Sequence, residues 1–535
     1  MNGNVAATLE EDIDRSAARK RVLVAAAIVL LMVVLALLTA KRTFTAPLWG
    51  DEMRTWRDGI EKPLTTVLTW QHNPDHAPMG HLLARGGAAI FGVEHAWSLR
   101  LGSWLCGLLC MPAIWWLGRT LWDGTVGLAM AVMATIDPNL AFQMTQARMY
   151  APLLLTVIVS LTLVGMILVR QDRPWRRTTA LAVAAGVAMG VGIWTHAQIY
   201  AVVIATLVTA LAMLLRQSSR RAGVALIVAV VVAGSIGAPG IAKIVNRHDA
   251  EQVVDAAVTD APGGQLEDAI HKLTGEAWIT YLILACVIGG HAIVLANRSA
   301  THRWVVVLLT LLVIAAVINL LVAARYRAVA HARYLTVIEP ALWFGIAIVV
   351  VDLFRTHGKR GGAAAIGAWA ALLAWIGLCG YQVTRIDDAL DVHPLAKPFA
   401  NAARQIRTSI APGDRFAMVA RSPYGMYTRY YGLKLDDSID DALKAYPTPR
   451  AARLAANAAK LDRGVVWLLC VTPPPNIQYR FTLDEPTKAV RLIADSRQID
   501  AGSLDALART DRWQTAVVRI DEKRVDVIAV TPHRN

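Results

Sequence analysis

Long apolar stretches separated by short polar segments dominate the first 385 residues of the chain. A helix needs about 20 apolar residues to cross roughly 30 Å of hydrocarbon. Stretches of this kind occur at 21–40, 99–118, 124–143, 150–169, 177–194, 198–215, 222–245, 275–296, 304–323, 334–354 and 362–384. The pattern predicts a polytopic α-helical membrane protein with about eleven transmembrane helices. The first stretch is too long for a typical signal-peptide core and has no clear A-x-A cleavage site, so we expect a retained signal anchor.

After residue 385 the pattern changes to that of a water-soluble domain. Apolar runs at 415–420 and 464–471 predict buried strands between helical segments, and two alternating runs around an Asp-Glu-Lys turn near the C-terminus predict a hairpin. We therefore divide the chain into a membrane domain, 1–385, and a soluble C-terminal α/β domain, 386–535. Long polar loops at 41–98 and 246–274 interrupt the membrane domain.

The distribution of charge predicts how the chain is oriented. It has 54 Lys and Arg residues against 40 Asp and Glu residues, a net charge of +14, with 55% hydrophobic residues. The basic residues concentrate in alternate short loops: 15–21, 119, 170–177, 216–221, 297–303 and 355–360. Positive-inside bias places these loops and the N-terminus in the cytoplasm, and an odd number of spans places the C-terminal domain and the two long loops outside. The excess of positive charge is thus explained by the orientation of the chain in the membrane. We expect membrane lipids as partners, and no nucleic acid.

An acidic pair, Asp51-Glu52, follows the first span at its outer boundary. Acidic residues favour the first turn of a helix, where they interact with the helix dipole. A carboxylate held near the lipid surface is equally suited to act as a general base. The residues of this segment alone leave both interpretations open.

Further polar motifs follow in the outward segments: His76-Ala77-Pro78, Phe91-Gly92 with Leu99-Arg100, Ala147-Arg148-Met149-Tyr150, and Arg333-Tyr334-Leu335 with Pro340. In order and topology, these motifs and the acidic pair resemble bacterial glycosyltransferase family 39 of the GT-C superfamily. That family is related to protein O-mannosyltransferases and lipid A aminoarabinose transferases. The resemblance covers about residues 21–355 and implies the GT-C fold.

The resemblance also implies an activity. Such enzymes are inverting glycosyltransferases that move a sugar from a polyprenyl-phosphate donor to an envelope lipid, glycan or protein. The reaction takes place on the outer face of the bacterial inner membrane. We therefore expect a multi-pass inner-membrane protein whose active site is extracytoplasmic.

Roles for individual residues follow from the same resemblance. Asp51, beside Glu52, matches the catalytic carboxylate that deprotonates the acceptor hydroxyl. Arg148, Arg333 and His331 are candidates to bind the donor phosphate, because charge at an apolar helix end is costly and often functional; snorkelling to lipid headgroups is the alternative. We expect five further residues to contact the substrate, with packing or other structural roles as the alternative for each: His76, His81, His196, Tyr150 and Tyr334.

Metal use is left open by one departure from the family pattern. Many relatives have an acidic residue directly before the Ala-Arg-Met-Tyr element, where this chain has Gln146. No Cys/His spacing typical of zinc occurs either. We therefore predict no obligatory cofactor, with a divalent cation as the alternative.

Two other classes of function are compatible with a polytopic chain. A transporter or flippase for a lipid-linked saccharide should have ionisable groups inside its spans or broken helices in symmetry-related halves. Here the spans are almost free of charge and the polar motifs lie at one face, which favours surface chemistry. A non-catalytic assembly subunit would use the C-terminal domain for docking, and the Tyr- and Arg-rich segment 421–432 suits either sugar stacking or a buried helix.

Overall fold

The computed structural model describes most of the membrane part of the chain and short stretches of the C-terminal part. The described residues are 2–48, 50–70, 77–247, 288–296, 300–327, 336–357, 407, 415–418, 429–431, 433, 466–471, 479–484, 489–494, 513–521 and 525–532. The chain forms two compact units. The first consists of 1–45, 58–93 and 97–390, and the second of 46–57, 94–96 and 391–535.

Helices make up the described part of the first unit, and the second unit includes α2 near the beginning of its sequence. The helices are α1 (Asn2–Thr45), α2 (Gly50–Trp56), α3 (Leu64–Leu68), α4 (Pro78–Phe91), α5 (Ala96–Leu121), α6 (Gly124–Thr135), α7 (Pro138–Met144), α8 (Tyr150–Val169), α9 (Trp175–Ile193), α10 (Tyr200–Leu214), α11 (Arg220–Arg247), α12 (Ala300–Arg327) and α13 (Glu339–His357). Short turns of other helix types occur at Arg57–Glu61, Ala197–Ile199 and Gln217–Ser219.

Several of these helices could cross a membrane. Within the described ranges, five are long and apolar enough, or six if the bent pair α6–α7 forms one span. The five are Ser16–Thr45, Ala96–Leu121, Tyr150–Val169, Ala197–Leu214 and Arg220–Ala242. Large apolar side chains of α1, such as Leu23 and Leu37, are about seven-tenths exposed (69% and 72%), as expected for a surface that faces lipid. The total of eleven spans stays a prediction, because 275–287 and 362–384 lie outside the described residues.

Small residues allow the helices to approach closely. A Cβ added to Gly118 of α5 would lie 2.5 Å from the Cα of Gly127 in α6. Only glycine permits such contact between two backbones, and close packing of this kind is the main attraction between helices in lipid. The α5–α6 hairpin is therefore joined by backbone contact.

The break between α6 and α7 occurs at Asp137-Pro138. The two helices are bent by 65°. Asp137 is the N-cap of α7 and its Oδ1 accepts hydrogen bonds from the backbone N–H groups of Asn139 and Leu140, at 2.8 and 3.1 Å. Pro138 occupies the first helical position, where its missing N–H costs nothing.

The described strands of the second unit are β1 (Arg415–Met418), β2 (Val466–Val471), β3 (Tyr479–Asp484), β4 (Ala489–Ala494), β5 (Trp513–Asp521) and β6 (Val525–Pro532). Four of them form a sheet in the order β1-β2-β6-β5. β1 and β2 are parallel, whereas β6 is antiparallel to both β2 and β5. The strands predicted at 415–420 and 464–471 and the closing hairpin are thus confirmed. The hairpin β3–β4 was not predicted, and the α/β character of the whole domain stays a prediction.

Candidate functional site

The acidic pair lies in the first turn of α2, within the second unit. Glu52 is fully buried, whereas Asp51 is partly exposed. Their position at a helix N-terminus is favourable for carboxylates because of the helix dipole. The two neighbours therefore differ in access, and Asp51 is the carboxylate that an external substrate can reach.

Aromatic side chains pack on the same short helix. The ring of Trp56 meets that of Tyr430 edge-on, with 5.5 Å between ring centroids, and Tyr430 meets Tyr431 in the same way at 5.0 Å. Trp56 and Glu52 are four residues apart and so share a face of α2. Tyr430, from the Tyr- and Arg-rich segment, thus contacts the helix that carries the acidic pair.

A second buried carboxylate, Asp58, was missed by the sequence analysis. It lies in a turn of π-helix, Arg57–Glu61, and its Oδ1 is 3.3 Å from Nζ of Lys62. Arg85 of α4 donates to the backbone carbonyls of Gly59 and Lys62, at 3.0 and 2.9 Å. The spacing of Asp58 and Lys62, four residues on a helix, is the signal that could have indicated this ion pair.

His81 packs against the same turn. It is buried in the first turns of α4, and a Cβ at Gly59 would lie 3.0 Å from its Cβ. The position of His81 is therefore determined by close backbone packing.

Arg148 lies in the short loop between α7 and α8, and its side chain is buried, with 3% exposed. Its backbone N–H donates to the carbonyl of Gln146 at 2.8 Å, and its carbonyl accepts from Oγ of Ser103 in α5 at 2.6 Å. Gly80 of α4 packs against the next residue, since an added Cβ would lie 3.1 Å from that of Met149. The loop is therefore held by α4 and α5, and it presents a buried cation.

The structure brings Tyr150 and His196 together. Their ring centroids are 5.3 Å apart, and Tyr150 is buried. His196 caps the turn Ala197–Ile199, because its Nδ1 accepts from the backbone N–H of Gln198 at 3.1 Å. An accepting Nδ1 carries no proton, so the proton of a neutral His196 is on Nε2. His196 thus has a structural role at this end of α9, next to the predicted substrate-binding Tyr150.

Two motifs of the sequence analysis have clear structural tasks. Gly92 ends α4 with φ = 90°, a conformation that favours glycine, and its carbonyl accepts from Ser98 Oγ at 2.6 Å. Buried Arg100 donates to the carbonyls of Arg42 and Thr43 at the end of α1, each at 3.3 Å. These contacts hold the segment between α1 and α5 at its two ends.

The remaining predicted site residues, His76, His331, Arg333 and Tyr334, lie outside the described residues. Over the part of the chain that is described, no group of three His, Cys, Asp or Glu side chains could hold a metal ion. Gln146, which replaces a carboxylate of many relatives, is buried, with 2% exposed.

Comparison with known proteins gives a family match over part of the chain and a shared fold. Residues 75–236 match the family described as dolichyl-phosphate-mannose-protein mannosyltransferase. No curated protein matches significantly over the chain.

Solved structures of two proteins are similar over most of this chain. ArnT from Cupriavidus metallidurans in the apo state is 15% identical with a TM-score of 0.57, over 96% of this chain and 98% of ArnT. The same protein bound to undecaprenyl phosphate is 13% identical with a TM-score of 0.56, over 95% and 98%. The oligosaccharyltransferase AglB from Archaeoglobus fulgidus, in complex with an inhibitory peptide and a dolichol-phosphate, is 12% identical with a TM-score of 0.51, over 93% and 79%. At these identities the likeness shows a shared fold.

Proposed function

Because residues 75–236 match a mannosyltransferase family and the chain shares the fold of ArnT and AglB, we propose that it is a glycosyltransferase of the GT-C superfamily. Its donor is a sugar linked to a polyprenyl phosphate, and its acceptor is a lipid, glycan or protein of the cell envelope. The similar structures with bound undecaprenyl phosphate and dolichol-phosphate support this class of donor. The reaction takes place on the outer face of a bacterial inner membrane, with the N-terminus in the cytoplasm.

The observation that carries the proposal is the difference in access between Asp51 and Glu52. Glycosyl transfer needs a carboxylate that an acceptor hydroxyl can reach, and Asp51 is partly exposed in the first turn of α2. Glu52 is fully buried and is suited to hold the turn in place. Movement of an intact lipid across the membrane needs no such base.

In the proposed mechanism Asp51 takes the proton of the acceptor hydroxyl as its oxygen attacks the anomeric carbon. The bond from that carbon to the phosphate oxygen breaks, and polyprenyl phosphate leaves with the bonding electrons. Attack from the opposite face inverts the anomeric centre, through a transition state with oxocarbenium character.

Arg148 stabilises the charge that develops on the departing phosphate. A cation that is already fixed before the reaction costs no reorganisation when the charge appears. The hydrogen bond from Ser103 and the packing of Gly80 hold its loop in this way. We expect Arg333 and His331 to contribute to the same phosphate, and His76, Tyr334, Tyr150 and His196 to line the sugar and lipid positions.

The direct test is Asp51→Asn in the purified protein with a polyprenyl-phosphate-linked sugar. We expect kcat to fall about 10²- to 10⁴-fold, because the amide cannot accept the proton. The control is Glu94→Gln, which removes an exposed carboxylate (63% exposed) and should leave transfer unchanged. Near-normal transfer by Asp51→Asn would exclude Asp51 as the base.

A divalent metal is not required in this proposal. Transfer should persist in EDTA, since Gln146 offers only a neutral amide in place of a metal-ligating carboxylate. Activity that is lost in EDTA and restored by Mg²⁺, Mn²⁺ or Ca²⁺ would contradict this prediction.

One observation favours the second candidate, a flippase for lipid-linked saccharides. The pair α6–α7 is bent by 65°, and broken helices are typical of transporters. Reconstituted vesicles distinguish the two functions. A transferase forms a new glycosidic bond with donor and acceptor on the same side, whereas a flippase changes only the side on which the donor is found.

A further inference from the structure

A cluster of buried polar side chains joins α7 to the beginning of α13. Asn139 Nδ2 donates to Oε1 of Glu339 and is 3.5 Å from Oγ1 of Thr336. Gln143, one turn after Asn139, donates from Nε2 to Asn139 Oδ1 at 3.2 Å. All four side chains are at least nine-tenths buried.

A second contact joins the break before α7 to the same helix. Asp137 Oδ2 accepts from Nε1 of Trp343, in the second turn of α13, at 3.0 Å. Its other oxygen caps α7. Asp137 thus sets the direction of α7 after the 65° bend and also ties that bend to α13.

The cluster has a desolvation cost that a simple contact between two helices does not need. Oε2 of Glu339 and Oε1 of Gln143 are buried and have no hydrogen-bond partner among the described residues. Apolar side chains of similar volume can join two helices without this desolvation cost. Directional hydrogen bonds, unlike apolar contacts, favour one arrangement of the two helices over others.

The position of α7 matters for the predicted phosphate site. This helix has only seven residues, and the loop that carries Arg148 begins directly after it. A displacement of α7 would therefore move the backbone that places the guanidinium. Asn139 and Gln143 are the side chains by which α7 is bound to the cluster.

We propose that Asn139 and Glu339 are positioning residues for donor binding, whose hydrogen bond holds α7 on α13 and thereby keeps Arg148 where it binds the donor phosphate. The proposal rests on the proposed function, in which Arg148 contacts that phosphate. In this proposal, neither Asn139 nor Glu339 touches the substrate.

The test measures binding of undecaprenyl phosphate, which carries no sugar, to the purified full-length protein, followed by KM and kcat for the sugar-linked donor. Asn139→Ala and Glu339→Leu each remove the bond and should raise Kd and KM about tenfold, with a smaller change in kcat. Glu339→Gln keeps an oxygen that accepts from Asn139 and should stay within about twofold of wild type.

The matched control is Arg355→Ala, near the opposite end of α13. It removes the ion pair between Arg355 and Asp123, the N-cap of α6, 2.8 Å apart, and so weakens the contact of α6 with α13, far along α13 from Glu339. We expect its Kd for undecaprenyl phosphate to equal that of wild type. An equal loss of binding in Arg355→Ala and Asn139→Ala would show a general packing effect and overturn the proposal.

The remaining outcomes distinguish a failure of the proposed function from a failure of the positioning role alone. A wild-type protein that does not bind undecaprenyl phosphate contradicts the donor class of the proposed function. Wild-type binding that is unchanged in both Asn139→Ala and Glu339→Leu overturns the positioning role alone. If both variants fail to fold while Arg355→Ala folds, the cluster serves stability and the positioning role is again overturned.

Discussion

The two ends of the contact between α6–α7 and α13 are built from different interactions. At one end Asp123, the N-cap of α6, pairs with Arg355, and both side chains keep access to solvent (30% and 48% exposed). At the other end Asn139 and Glu339 are buried and joined by a hydrogen bond, and the carboxylate of Asp137 accepts from an indole N–H.

The difference indicates that the Asp137 end of the contact is the specialised one. An exposed ion pair contributes little and tolerates change, whereas buried polar groups are costly to leave unsatisfied. Near the Asp123 end, close backbone contact of Gly118 and Gly127 also holds α6 against α5. The Asp137 end lies shortly before the Arg148 loop, so in the proposed function its geometry affects donor binding.

The largest effect should come from Arg148→Ala, at the loop after the Asp137 end. We expect the kcat/KM for a polyprenyl-linked donor to fall about 100-fold or more, because a fixed cation beside the departing phosphate is lost. Arg119→Ala is the control, since that exposed arginine lies near the Asp123 end. Equal rates for Arg148→Ala and wild type would remove the proposed specialisation.

Asp137→Ala should have the next largest effect, a loss of stability that is measured by thermal unfolding in detergent. It removes the cap of α7 and leaves the indole N–H of Trp343 without its acceptor, at a cost of about 2–4 kcal/mol. Asp123→Ala removes a similar cap and an exposed ion pair, and should cost only about 1 kcal/mol. A larger loss in Asp123→Ala would reverse the comparison.

Gly118→Ala examines the backbone contact at the Asp123 end. Its added Cβ would lie 2.5 Å from Gly127 Cα and force the helices apart, with a loss of about 1–3 kcal/mol in the same assay. Gly124→Ala meets no atom within 4 Å and should have little effect. If both variants unfold at the same temperature, the hairpin does not depend on this contact.

Arg355→Ala should have the smallest effect on stability, about 0.5 kcal/mol or less, because solvent screens the pair. Addition of salt to wild type should reproduce most of this change. An effect as large as that of Asp137→Ala would mean that the two ends are equally important for the fold.

Local patterns predicted much of the architecture. Apolar length predicted the long helices, and apolar runs predicted strands β1 and β2. Each of these features depends on neighbouring residues in the chain. The resemblance also indicated Arg148 and Asp51, although no local pattern distinguished the accessibility of the partly exposed Asp51 from that of the buried Glu52.

Contacts between distant residues were not predicted. Asn139 and Glu339 are 200 positions apart, and neither belongs to a motif whose spacing suggests a partner. Arg100 was noted within a motif, but its bond to the end of α1 links positions 57 and 58 residues away. Asp58 lies near its partner, and its spacing from Lys62 could have indicated the pair.

By itself, the sequence determined that this chain enters a membrane, which of its segments are apolar enough to do so, and the order of its polar motifs. These properties follow from the hydrophobicity and spacing of neighbouring residues, which act whatever the rest of the chain does. Only the tertiary structure decided which carboxylate is accessible, how the Arg148 loop is held and that α7 is bound to α13. Burial and hydrogen bonding at these points depend on helices that meet after folding, and no local pattern carries that information.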